Sequence, residues 1–143
     1  STTAGVGKVL NEWYLGTGVS ETYQKMIATS ADDGIVWYQG PTNGMGRDYT
    51  LVKTGDAINA TIGLPYYGEM FTSQFGEGHS KSLNFWSLSK YTSTRLWMFS
   101  DYDSASGKSP ENAYSVRPSF YLKSNVKITG GTGQFGTPYT ISQ

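Results

Sequence analysis

Apolar residues fall at Val6, Leu10, Trp13 and Tyr14 in the stretch "GVGKVLNEWYL". These intervals, i, i+4, i+7 and i+8, mark one face of an α-helix. The pattern predicts an amphipathic helix over 5–15, capped by Thr2 or Thr3 and ended at Gly16 and Gly18. A second helix is predicted from Ser20 to Ala28, with Tyr23, Met26 and Ile27 inward and Ser20-Glu21 as cap and first-turn acid. The texture then turns to short β runs at Ile35–Tyr38 and Tyr49–Val52. Pro65 is the expected first residue of a short helix through Glu69, Met70 and Phe71, ended near Gly76. The last third is strand-like at Asn84–Ser89, Arg95–Asp101, Ala113–Leu122, Val126–Thr129 and Tyr139–Ile141. Polar and glycine-rich loops separate these runs. Helices first, strands last and no βαβ alternation predict an α+β fold with an antiparallel sheet.

One strand candidate carries an internal contradiction. "AYSVRPSFYL" holds Arg117 and Pro118 in its middle. Proline has no ladder donor, and arginine is rarely buried without a partner.

The chain of 143 residues is long enough for one domain, 1–143, with its own core. It has no cysteine, which removes thiol nucleophiles, disulfides and cysteine-held zinc. Eleven basic residues balance 11 acidic ones without a basic stripe, so nucleic acid is not an expected partner. No apolar run reaches the roughly 20 residues of a membrane helix, so any membrane link is expected to run through an anchor outside these residues. "STTAGVGKVL" lacks a signal-like apolar region and an initiating Met, as expected of a processed or excised piece. The aromatic set, 11 Tyr, 6 Phe and 4 Trp among 18 Gly, is the composition of a β-rich binding module as much as of a β-rich core.

Four segments, "VLNEWY", "IGLPYYGEMF", "FWSLS" and "YSVRPSFYLKSNVKITGGTGQFGTPYTIS", occur in this order. Together they resemble a C-type-lectin-like domain found in surface and pilin-like proteins of Firmicutes. The Trp-x-Leu-Ser and Val-Arg-Pro pair is also similar to the core of formylglycine-generating-enzyme-like domains. The resemblance covers nearly the whole chain and is most specific in the last 30 residues. It departs from its relatives in the middle region, where many carry cysteines. It implies two N-terminal helices packed on a twisted antiparallel sheet. It also implies a core containing Trp13, Trp86, Trp97 and Phe120. Val116, Phe120 and Leu122 would face that core by alternation. Arg117 would point to the other side to bond carbonyls or a carboxylate, with Pro118 at an edge or bulge.

Reactive groups are few. The single histidine, His79, is in a glycine-rich loop, and no Gly-x-Ser-x-Gly elbow is present. The formylglycine-generating branch needs active-site cysteines that this chain lacks. Asp32 and Asp33 are adjacent, pointing apart in a strand or capping in a turn. A glycosidase-like pairing of Glu69 with Glu77 is neither indicated nor barred by spacing. "DYDSASGKSPEN" begins like a calcium loop, but its sixth position is Ser106 and its twelfth Asn112. "GGTGQFG" lacks the Lys-Ser/Thr and the helix of a phosphate loop.

No catalytic residue, metal or cofactor is therefore expected. The candidate ligand-binding residues are Tyr91, Thr92 and Thr94 in one loop, and Asp101, Tyr102 and Asp103 in the next. The expected function is metal-free recognition or adhesion toward a glycan or surface protein, outside the cell or on a bacterial surface. Two alternatives are the globular head of a pilin-like filament subunit, which would meet neighbouring subunits, and a phage receptor-binding domain.

Overall fold

The structure is a computed structural model describing residues 5–39, 56–72, 84–100, 104–134 and 136–143. It is mixed α+β. A few short helices accompany seven strands, which form small antiparallel sheets among the described residues. The predicted strand Tyr49–Val52, the loops around Gly76 and His79, and Asp101–Asp103 lie outside them.

The N-terminal helix begins as one α-helical turn, α1 (Gly5–Lys8), and continues as a π-helix over Val9–Gly18. The i→i+5 bonding of a π-helix widens each turn. The inward positions are accordingly Leu10, Tyr14, Leu15 and Val19, four to five residues apart, all packed on one core. This corrects the 3.6-residue stripe. Trp13, expected in the core, is 65% exposed, because the wider turn rotates it off the inward face, and Val6 on the preceding α-helical turn is exposed as well.

α2 (Glu21–Gln24) is a single turn, shorter than the predicted helix. Ser20 precedes it without a side-chain cap bond, and Tyr23 is exposed. Met26, still in the turn that follows the helix, and Ile27 and Ala28 after it are buried, with Ala28 N–H donating to Tyr121 O at 2.8 Å. Asp33 accepts from Thr29 N–H at 2.8 Å, and Asp32 bonds the Thr29 hydroxyl at 3.1 Å, so this acidic pair fastens a turn.

β1 (Val36–Tyr38) pairs with β2 (Ala57–Asn59). A second sheet has the order β3 (Phe85–Thr92), β4 (Arg95–Ser100), β5 (Ser104–Lys108). A third pairs β6 (Lys127–Gly130) with β7 (Thr140–Ser142). The central sheet separates two hydrophobic clusters. Trp86 and Met98 join Leu10, Ile27, Ile62 and Leu64 in one. Phe85, Trp97 and Phe99 join Tyr67 in the other. Alternation along β4 sends neighbouring residues to opposite clusters.

The Trp-x-Leu-Ser run divides its work residue by residue. Trp86 and Leu88 enter the first cluster. Ser87, fully buried, donates to Trp97 O at 3.1 Å. The Ser89 hydroxyl accepts from Tyr67 N–H at 3.0 Å and Leu88 N–H donates to Pro65 O at 2.9 Å, fixing the entry to α3 (Tyr67–Thr72). The helix starts two residues later than Pro65.

Two predictions are corrected in the last third. Ser104–Lys108, expected to be loop, is a strand paired with β4 along its length. Its small residues give it little β signal, yet Ala105 packs against the cluster of Tyr67, Phe85, Trp97 and Phe99. Conversely, Ala113–Leu122 is not a strand. It touches three partners through isolated bridges, Ser115 to Phe85, Ser119 to Gly63 and Leu122 to Ile27. Pro118 lacks the N–H that a continuous ladder would use. The bridges to Gly63 and Ile27 fall three residues apart on this segment, so alternation is lost. Val116 packs inward, whereas Phe120, expected in the core, is exposed together with Tyr121 and Leu122. Half-buried Arg117 lays its guanidinium 4.2 Å from the Phe85 ring centroid.

No described helix is long and apolar enough to cross a membrane.

Candidate functional site

Of the loop residues singled out from sequence, Tyr91, Thr92 and Thr94 are described. Tyr91 is on β3 and half-buried, its ring edge-on to Trp97 at 4.6 Å. Gly107 of β5 lies over it, where a Cβ would meet Tyr91 Cδ1 at 1.9 Å. Tyr91 is therefore a packing residue. Thr92 closes β3 and Thr94 is in the tight turn, their hydroxyls 3.5 Å apart. Asp101, Tyr102 and Asp103 lie outside the described residues.

A different set of tyrosines converges. β1 carries Trp37 and Tyr38, Tyr66 immediately precedes α3, and Tyr121 belongs to the bridged segment after Pro118. Trp37 is buried, its Nε1–H donating to Ala60 O at 2.9 Å. Gly63 allows this seat, since a Cβ there would meet the indole at 2.4 Å. From this anchor the Tyr121 ring lies 5.2 Å away and the Tyr66 ring 6.1 Å, both tilted. The Tyr66 hydroxyl accepts from Tyr38 N–H at 3.0 Å. Tyr121 is 45% exposed and Tyr66 half-buried, so buried indole backs a surface of these two tyrosines.

Glu69 supplies the charge. Its Oε2 accepts from Tyr66 N–H at 2.8 Å. With Tyr66 as N-cap, Glu69 is the third helical residue, the position from which an acid bonds back to the cap. Burial holds the Tyr66 phenol above the ordinary tyrosine range, and nearby Tyr121 and Glu69 add to the rise against the hydrogen bond from Tyr38. Burial raises Tyr121 as well, with Glu69 second. Both phenols thus keep their protons at neutral pH and can donate hydrogen bonds. Aromatic faces, phenolic donors and a carboxylate acceptor suit the apolar and hydroxyl faces of a polar ligand.

"LPYYGEMF" and "SFYL" lie far apart in the sequence, and the bridges of Ser119 and Leu122 hold the segment that brings Tyr121 to Trp37. The glycine-rich run after β6 is a hairpin connection. Thr132 N–H donates to Thr137 O at 3.0 Å, and Gly131 and Gly133 take positive φ of 83° and 75°.

Comparison of the chain with family models, with curated proteins and with solved structures found no match.

Proposed function

We propose that this chain is a non-enzymatic recognition or adhesion module, C-type-lectin-like in fold, acting outside the cell or on a bacterial surface. It binds a glycan or a surface protein without a metal. The observation that carries this reading is the surface of Tyr66 and Tyr121 over Trp37, edged by Glu69 and tied to β1 through the Tyr38 N–H. The exposed run Phe120-Tyr121-Leu122 extends it with apolar area of the kind that marks interaction sites. Support for the finer fold reading is the order of the motifs, with Trp-x-Leu-Ser on β3 hydrogen-bonded to the Val-Arg-Pro segment through Trp86 N–H to Ser115 O at 3.0 Å.

The test is a glycan array with the labelled protein, in calcium and then in chelator, alongside Tyr121→Ala. Saturable binding that survives the chelator and is lost in the variant supports the reading. Binding that needs calcium overturns the metal-free mechanism. Absence of binding in both conditions removes the glycan version and leaves a protein ligand.

A structural role in an assembly is the second reading. It is favoured by the exposed apolar side chains of the N-terminal helix, Val6, Val9 and Trp13.

A further inference from the structure

We propose that the surface of Tyr66 and Tyr121 takes a lysine or arginine side chain of a protein partner, its cationic group held by the two rings and the Glu69 carboxylate. The inference rests on the recognition reading of the same surface and names the class of ligand. Tyr66 and Tyr121 flank the buried Trp37 indole, their ring centroids 6.1 and 5.2 Å from it. Glu69 is fixed beside them, its Oε2 accepting from Tyr66 N–H at 2.8 Å. The carboxylate raises both phenols through its charge, so it stands near each of them. Tyr121 is 45% exposed and Tyr66 and Glu69 are half-buried, so the cluster is partly shielded from water yet reachable.

Charge selects the ligand. An aromatic face is electronegative and attracts a cation, the more so where water is partly excluded. Both phenols are protonated at neutral pH, so Glu69 gives these three side chains one negative charge in all. A single positive charge complements that arrangement. A sugar hydroxyl can bond the carboxylate but brings no charge to match it, and an acidic ligand is repelled. The long apolar stem of lysine or arginine can lie along a tyrosine ring while its head reaches the carboxylate. Phe120 and Leu122, on either side of Tyr121 in the chain, are 40% and 42% exposed. They offer apolar contact to the polypeptide that carries the side chain, which a small free cation would not use.

The test is an NMR titration of the isotopically labelled chain, read at the Trp37 indole N–H and the Tyr66 and Tyr121 amides. The probes are blocked peptides identical except for a central lysine, arginine or acetyl-lysine, with tetramethylammonium chloride as a free cation. The lysine and arginine peptides are expected to shift these signals saturably, and the acetylated peptide and the free cation to bind roughly threefold more weakly or worse. Tyr121→Ala and Glu69→Gln are each expected to weaken the lysine peptide by roughly threefold or more. Glutamine at 69 still accepts from Tyr66 N–H, so that variant keeps the helix start and removes only the charge. An acetylated peptide that binds as well as the lysine peptide, or a lysine peptide indifferent to Glu69→Gln or to Tyr121→Ala, overturns the proposal. Tetramethylammonium that binds as well as the peptides overturns the protein partner. Cationic peptides that shift nothing overturn this inference alone, because Tyr121-dependent binding on the glycan array would still uphold the surface as a recognition site.

Discussion

The Asn11 carboxamide grips Ile62 from both sides, Nδ2 donating to Ile62 O and Oδ1 accepting from Ile62 N–H, each at 2.9 Å. The same oxygen takes Thr61 N–H at 2.9 Å, and the same nitrogen gives to Gly7 O at 3.0 Å. One side chain on the N-terminal helix thus satisfies backbone groups 50 and 51 residues away in the chain. Asn11→Ala would leave those amides unpaired in a half-buried place. The expected loss is about 2–4 kcal/mol of unfolding free energy, since several polar groups lose partners together. Urea denaturation checks it, and a loss under about 1 kcal/mol would mean that water replaces the carboxamide.

Gly107 and Tyr91 give a second outcome. A methyl group at position 107 would enter the Tyr91 ring, so Gly107→Ala is expected to destabilise by about 1–3 kcal/mol. Tyr91→Ala alone should cost a similar amount through lost contact with Trp97. In the double variant the second change should cost much less than alone, because the ring that the added methyl would strike is gone. Additive losses in thermal melts would show that the two positions do not share this contact.

What was legible in the sequence follows from what local pattern can carry. The runs around Trp37, Trp86 and Trp97 are rich in apolar and aromatic residues, and each forms a strand close to its predicted bounds. Trp86 and Trp97 are buried, as expected from their motifs. The stripe through Trp13 misled because α and π winding give different faces to the same residues. Ser104–Lys108 was illegible because its strand character comes from pairing with β4, a non-local term. Phe120 was misplaced because period-two reasoning needs a continuous ladder, and Pro118 divides the segment into separate bridges. The tyrosine surface joins residues from three distant segments, so no spacing rule points to it.

Tyr66 and Tyr121 predict behaviour in base. Each phenol is held above its ordinary value of 10.0, so the folded chain keeps the proton more tightly than the unfolded chain. Their stabilising contribution is therefore complete below pH 10.0 and is lost as pH rises through the raised folded values. Ultraviolet titration should show two tyrosines ionising late in the wild type. Tyr66→Phe should remove one of them and cost about 0.5–1.5 kcal/mol by depriving Tyr38 N–H of its acceptor. A titration in which every tyrosine ionises together would contradict this placement.

Asp56 and Lys90 predict the acid side. Lys90 Nζ lies 2.7 Å from Asp56 Oδ2, with the lysine side chain 14% exposed and the aspartate 77%. The backbone reinforces the tie, as Gln39 N–H donates to Asp56 O at 3.2 Å and Lys90 N–H to Gln39 O at 3.0 Å. The β1–β2 sheet is thereby joined to β3. The hydrogen bond from Lys90, and then its charge, hold the Asp56 carboxyl below its ordinary 3.8. The folded chain thus releases this proton more readily than the unfolded one. The contribution is present above pH 3.8 and is lost as pH falls through the lower folded value. Asp56→Asn should narrow the gap to wild type in urea midpoint as the medium is acidified through that window. Because the carboxylate is exposed, salt should narrow the same gap at neutral pH. A gap unchanged by both acid and salt would mean that the Gln39 backbone bonds, rather than the ion pair, join the two sheets.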